Sequence, residues 1–152
     1  MYLIRALICN EASLWASSAI NGVVLIISKM FIKTNPNPNG MYVEDCVIRA
    51  IAIATNRSWD DIFVHLCLQA FIMKNMPSVN KVWGNYLSSI GFERYSLPIT
   101  CPDCYTIRDF CNDNPVGIFI LATGSHVVAV IDGDYYDAWD SGDEMPIAVW
   151  RR

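Results

Sequence analysis

Six cysteines and two histidines are the side chains of this sequence best suited to nucleophilic chemistry, and their settings tell them apart. The cysteines stand at Cys9, Cys46, Cys67, Cys101, Cys104 and Cys111. A thiol attacks as its thiolate, and a helix N-terminus is one place where the thiolate is favoured. Only Cys46 opens a predicted helix, CVIRAIAIAT, where its own backbone N–H can donate to an oxyanion. His65 lies inside an apolar helical run, IFVHLCLQAF, and reads as a packed or rim histidine. His126 opens the strand HVVAVI directly after Thr123-Gly124-Ser125, where a rigid element presents a side chain to a cleft. A Cys–His pair wants a third group, an acid that orients the imidazole and fixes its tautomer.

Asp137 and Asp140 on the following strand are the candidates for that acid. Asp132-Gly133, between the two strands, is a strong short hairpin signal. A two-residue turn pairs Ile131 with Asp134 and His126 with Trp139, which puts Asp137 on the face of His126. A three-residue loop from Asp132 to Asp134 sets Asp140 opposite His126 instead. The residues alone leave both registers open.

The elements that must position these groups follow from periodicity and turn chemistry. Asn35-Pro36-Asn37-Pro38-Asn39-Gly40 is a rigid, irregular entry loop, because each proline fixes its own φ and restricts the residue before it. The helix over 46–55 buries Val47, Ala50, Ile51 and Ala54. Glu44 and Asp45 lie at its positive end, with Arg49 one turn on and placed to pair with one of them. Ser58, with Asp61 three residues later, starts a second helix that runs to Met73 or Lys74. A third spans 79–90 and stops at Gly91. From there the period changes to that of strands, over 117–122, 126–131, 135–140 and 147–150. The expected class is α+β, with N-terminal helices packed on a C-terminal antiparallel sheet.

Composition narrows the function. The 152 residues suit one domain, and an apolar chain of this kind is not intrinsically disordered. With 11 Lys and Arg against 15 Asp and Glu, there is no cationic excess to bind nucleic acid, so no nucleic-acid partner is expected. A core of this size does not need disulfide staples, and reduced thiols in a cytoplasm-like compartment are expected. Cys101-Pro102-Asp103-Cys104 with Cys111 lacks a fourth zinc ligand and reads as loop cysteines, so neither a metal nor a cofactor is expected. Trp59, Trp83, Trp139 and Trp150 read as core or cleft walls. Asp132, Asp134, Asp137, Asp140, Asp143 and Glu144 read as solvated hairpin charge or as a cleft rim favouring basic substrates.

Residues 1–34 differ from the rest and are read as a hydrophobic extension, with the domain over 35–152. The stretch Leu14 to Ile27 is short for a membrane span and lacks a signal-peptide cleavage site. Membrane contact is expected only through residues 14–27, and either Met1 or Met30 is the start. The oligomeric state is not legible.

A Cys opening a buried helix, a His opening a strand and an acid at the end of the next strand follow the order of papain-like cysteine peptidases. NPNPNGMYVEDCVIRAIAIAT and GSHVVAVIDGDYYDAWDSGDEMP together resemble a small single-domain type common in phages and gut bacteria, similar to the peptidase domains that process bacteriocin leaders. The resemblance covers Asn35 to the C-terminus. It implies Cys46 as nucleophile, His126 as base and Asp140 as orienting acid, with Asp137 the alternative. Papain-like enzymes carry a Gln before the Cys to complete the oxyanion hole. None precedes Cys46 here, and Asn37 and Asn39 are the substitutes with the same carboxamide on a shorter arm. The implied activity is hydrolysis of peptide or isopeptide bonds in a peptide or protein substrate, in the cytoplasm of a bacterium or phage-infected host. An inactive papain-like binding or inhibitor module, and an acyl or glutamyl transferase using the same triad, are the alternatives.

Overall fold

The computed structural model describes residues 31–97 and 104–152. Among them the chain runs β1 (Phe31–Lys33), α1 (Cys46–Thr55), α2 (Trp59–Met73), α3 (Asn80–Ser89), β2 (Glu93–Ser96) and α4 (Ile107–Asp113). It then continues through β3 (Ile118–Ala122), β4 (Val127–Ile131), β5 (Asp134–Asp137) and β6 (Ala148–Arg151). The architecture is α+β, with six strands in the order β1-β5-β4-β3-β6-β2. The sheet is mixed rather than purely antiparallel, because β1 runs parallel to β5 while the other pairings are antiparallel.

The two faces of the sheet are covered unequally. Ile120, Ala122, Val127, Ala129, Ala148 and Trp150 face α1, α2 and α3. The alternate residues Phe119, Leu121, Val128, Val130, Tyr135 and Val149 pack with Ile107, Phe110 and Cys111 of α4. Burial on both faces explains why β3 and β4 read as unbroken apolar runs rather than alternating ones. Each fully buried aliphatic side chain here contributes about 1.5–3 kcal/mol. Helix α1 is buried on nearly every side, and Ala50, Ala52 and Ala54 keep it slim enough to lie between the sheet and the outer helices.

Local chemistry accounts for the helix ends. The Ser58 hydroxyl accepts from the Asp61 N–H and caps α2. Thr106 and Asp109 cap α4 reciprocally. Gly91, at φ +93, takes a backbone conformation that L side chains rarely adopt, just past α3.

Three elements differ from the sequence expectation. Strands β1 and β2 and helix α4 are additional, and β1 lies within the stretch assigned to the N-terminal extension, so the sheet takes in Phe31–Lys33. The apolar stretch 14–27 and both candidate starts lie outside the described residues. No described helix is long and apolar enough to cross a membrane.

Candidate active site

Cys46 is the first residue of α1. Its N–H is therefore one of the first-turn donors that no carbonyl of the helix can take. Burial opposes ionisation of the thiol, but hydrogen bonding to His126 and the charge of that ring outweigh it. A donor from the Val127 N–H and the nearby charge of Arg49 add to this, and the pKa lies below the ordinary thiol value.

His126 stands one residue before β4, in a pinned loop. Thr123 Oγ1 accepts from the His126 N–H at 3.1 Å, and the Thr123 N–H donates to the His126 carbonyl at 2.9 Å. The ring meets Trp139 at 5.2 Å between centroids, tilted by 41°. Burial disfavours the imidazolium, yet the Asp137 carboxylate and the Cys46 thiol more than offset that and raise the His126 pKa to about 9.

The acid at the ring is Asp137. Its Oδ2 lies 2.5 Å from His126 Nε2, which leaves Nδ1 as the nitrogen for the thiol. The hairpin decides this. Ile131 pairs with Asp134 across a two-residue turn, with Asp132 at φ +49 and Gly133 at φ +81, the signs that a type I′ turn requires. Asp137 ends β5 on the diagonal from His126. Asp140, expected in this role, comes after the strand has ended. Its carboxylate accepts from Arg108 Nη2 at 2.8 and 2.9 Å and from the Tyr135 hydroxyl. The two side chains also differ in exposure, 47% for Asp140 and 2% for Asp137.

Asp137 is held from every side. Ser141 Oγ donates to its Oδ2 at 2.6 Å, and the Ala138 N–H donates to its Oδ1 at 2.7 Å. Arg49 Nη2 lies 3.9 Å from the same Oδ1. Through Nη1, Arg49 also bonds the buried Asp45, whose other oxygen accepts from Trp59 Nε1 at 2.9 Å. Arg49 therefore bridges two buried carboxylates, Asp45 one turn before it and Asp137 at the end of β5. Of the two acids that the spacing offered to Arg49, Glu44 and Asp45, it is the i,i+4 partner Asp45 that pairs. Sequence reasoning assigns no role to Ser141, which is fully buried two residues past Trp139.

The expected oxyanion donors do not reach the cleft. The Asn37 Nδ2 is directed at Asp45 Oδ2, at 3.4 Å, and its Oδ1 accepts from the Asn39 N–H. Asn39 is exposed. Cys46 and His126 instead open onto a cleft of about 510 Å³, with Glu44, Ser78, Thr123 and Trp139 among its walls. None of the six acids between Asp132 and Glu144 lines it, so they do not form a rim favouring basic substrates. Arg108 offsets two of them, Asp140 and Asp143. His65 is spent on Asp61 of its own helix. Cys111 packs beneath the sheet with α4, while Cys101 and Asp103 lie outside the described residues.

Fold and site together define an α+β domain with a thiol and an imidazole at one cleft and a buried carboxylate behind the imidazole. Comparison of the chain with family models, with curated proteins and with solved structures gives no match.

Proposed function

We propose that this protein is a thiol hydrolase of peptide or isopeptide bonds, with Cys46 as nucleophile, His126 as acid and base, and Asp137 as the group that orients the ring. The observation that carries the reading is the line from Cys46 through His126 to Asp137, with the thiol pKa lowered and the imidazole pKa raised. The papain-like order of helix-opening Cys, strand-opening His and following acid supports the same chemistry.

In this reading the Cys46 sulfur attacks the carbonyl carbon, and the negative oxygen that forms is met by the Cys46 N–H. His126, holding the thiol proton, passes it to the leaving nitrogen as the C–N bond breaks. The acyl group stays on sulfur as a thioester. His126 then takes a proton from water, whose oxygen displaces the thiolate and releases the acid.

The test is labelling by a peptidyl vinyl sulfone, read by intact mass. One adduct on the parent protein and none on Cys46→Ala is expected, and equal labelling of both overturns the reading. The absence of Asn37 and Asn39 from the cleft is the observation that favours a second reading, a binding module retaining this fold. That module would hold its partner equally well after Cys46→Ala and show ordinary reactivity at Cys46. A transferase would turn over only with an amine acceptor.

A further inference from the structure

A second cavity, of about 310 Å³, adjoins the cleft, and Asn80 and Ala122 line both. Its other walls include Lys81, Gly84 and Ser88 from α3, Arg94 from β2 and Trp150 from β6. Two cations and no acid line it. Arg94 lies over the Trp150 ring at 5.4 Å and donates to Ser96, and no salt bridge among the described residues engages it or Lys81.

Two further features of the walls bear on what the cavity can hold. The Trp150 indole N–H is buried without an acceptor, as is that of the adjacent Trp83, whose ring lies 4.3 Å away. Gly84 sits inside α3, where glycine is a poor helix former, and a Cβ there would meet only Trp150 Cζ2, at 3.7 Å. Packing within the chain therefore does not demand a glycine, and a large side chain in its place would enter the cavity.

We propose that this cavity is a specificity subsite that receives an acidic side chain, Asp or Glu, of the peptide being cleaved at Cys46. The inference rests on the hydrolase reading for the word peptide, but the anion pocket itself does not. An extended chain lying in the cleft past Ala122 places a side chain over the pocket mouth, where Lys81 and Arg94 meet a carboxylate. Without a compensating acid in the walls, a neutral or basic side chain leaves both cations unpaired, so selectivity is set by charge.

Two measurements test it. In the first, glutarate and the neutral glutaramide are titrated into the ¹⁵N-labelled full chain, and the Trp150 indole N–H, assigned with Trp150→Phe, is followed. A saturable shift with glutarate only, lost in Lys81→Ala/Arg94→Ala, is expected. Equal shifts with both compounds, or none with either, overturn the subsite. In the second, peptidyl vinyl sulfones differing by Glu or Gln at each position are compared for their rate of labelling Cys46. A Glu preference on the order of fivefold at one position is expected, falling to about one in Lys81→Ala/Arg94→Ala and in Gly84→Leu, which fills the pocket.

The two readings fail separately. A glutarate shift without any Cys46-dependent labelling overturns the hydrolase and leaves the anion pocket. Labelling with no Glu preference and no glutarate shift overturns the subsite and leaves the hydrolase. If Gly84→Leu does not fold, the ratio in the Lys81 and Arg94 variant decides, since both are exposed side chains.

Discussion

Asp137 and His126 meet on the diagonal of the β4–β5 hairpin, carboxylate to Nε2 at 2.5 Å, with both side chains nearly closed to water. The contact sets the tautomer, because a ring held at Nε2 turns Nδ1 to the Cys46 thiol. It is itself set by two turn residues, Asp132 and Gly133, whose backbone fixes the register five residues away.

Asp137→Asn and Asp140→Asn therefore separate sharply. The first replaces the orienting carboxylate by an amide and is expected to slow Cys46 acylation by about 10²–10⁴. The second loosens the Arg108 cluster outside the cleft and leaves the rate within about twofold. Single-turnover labelling of the two variants checks this, and a larger loss in Asp140→Asn contradicts the assignment.

Arg49→Met leaves Asp45 and Asp137 buried without their shared counter-charge. The expected cost is about 3–5 kcal/mol, the usual result of removing one member of a buried ion pair. In a domain of this size it appears as a fall in Tm on the order of 10 °C. Adding Asp45→Asn should recover part of the loss, because one of the two stranded charges is then removed. A melting curve unchanged by Arg49→Met contradicts the bridging role.

Much of this site was legible in the sequence, and the exceptions have physical causes. Helix α1 begins and ends where its apolar pattern does, because it is buried against both the sheet and the other helices. His126 was marked by the turn before it. The choice of acid followed family pattern toward Asp140, while the hairpin rule favoured Asp137. The turn prevailed because an aspartate and a glycine can both take positive φ there. Strand β2, ERYS, is exposed at every residue and joins the sheet edge through its backbone, so it carries no apolar alternation to read. Helix α4 is seven residues long, too short for periodicity, although Thr106 and Asp109 do spell its capping box. Asn37 was expected at the cleft, but the buried Asp45 draws its carboxamide away, and no local pattern signals that.

Stability should carry two pH-dependent contributions of opposite sign, one from His126 and one from Cys46. The raised His126 pKa contributes stability that is complete below pH ~6.5 and is lost as pH rises through about 9. The lowered Cys46 pKa contributes stability present above pH ~8.5 and lost as pH falls through the folded value. Urea midpoints across pH 5–10 check this. Cys46→Ala should lose the acid limb, and an unchanged profile in that variant contradicts the coupling.

The most direct test of the central claim is the pH dependence of Cys46 alkylation by iodoacetamide, read by mass spectrometry with Cys46→Ala as blank. A thiolate paired with an imidazolium predicts reaction whose first inflection lies below pH ~8.5, with a second change in rate near pH 9 as His126 loses its proton. Asp137→Asn should move that second change downward. A single inflection near ~8.5, the same in parent and Asp137→Asn, contradicts the account.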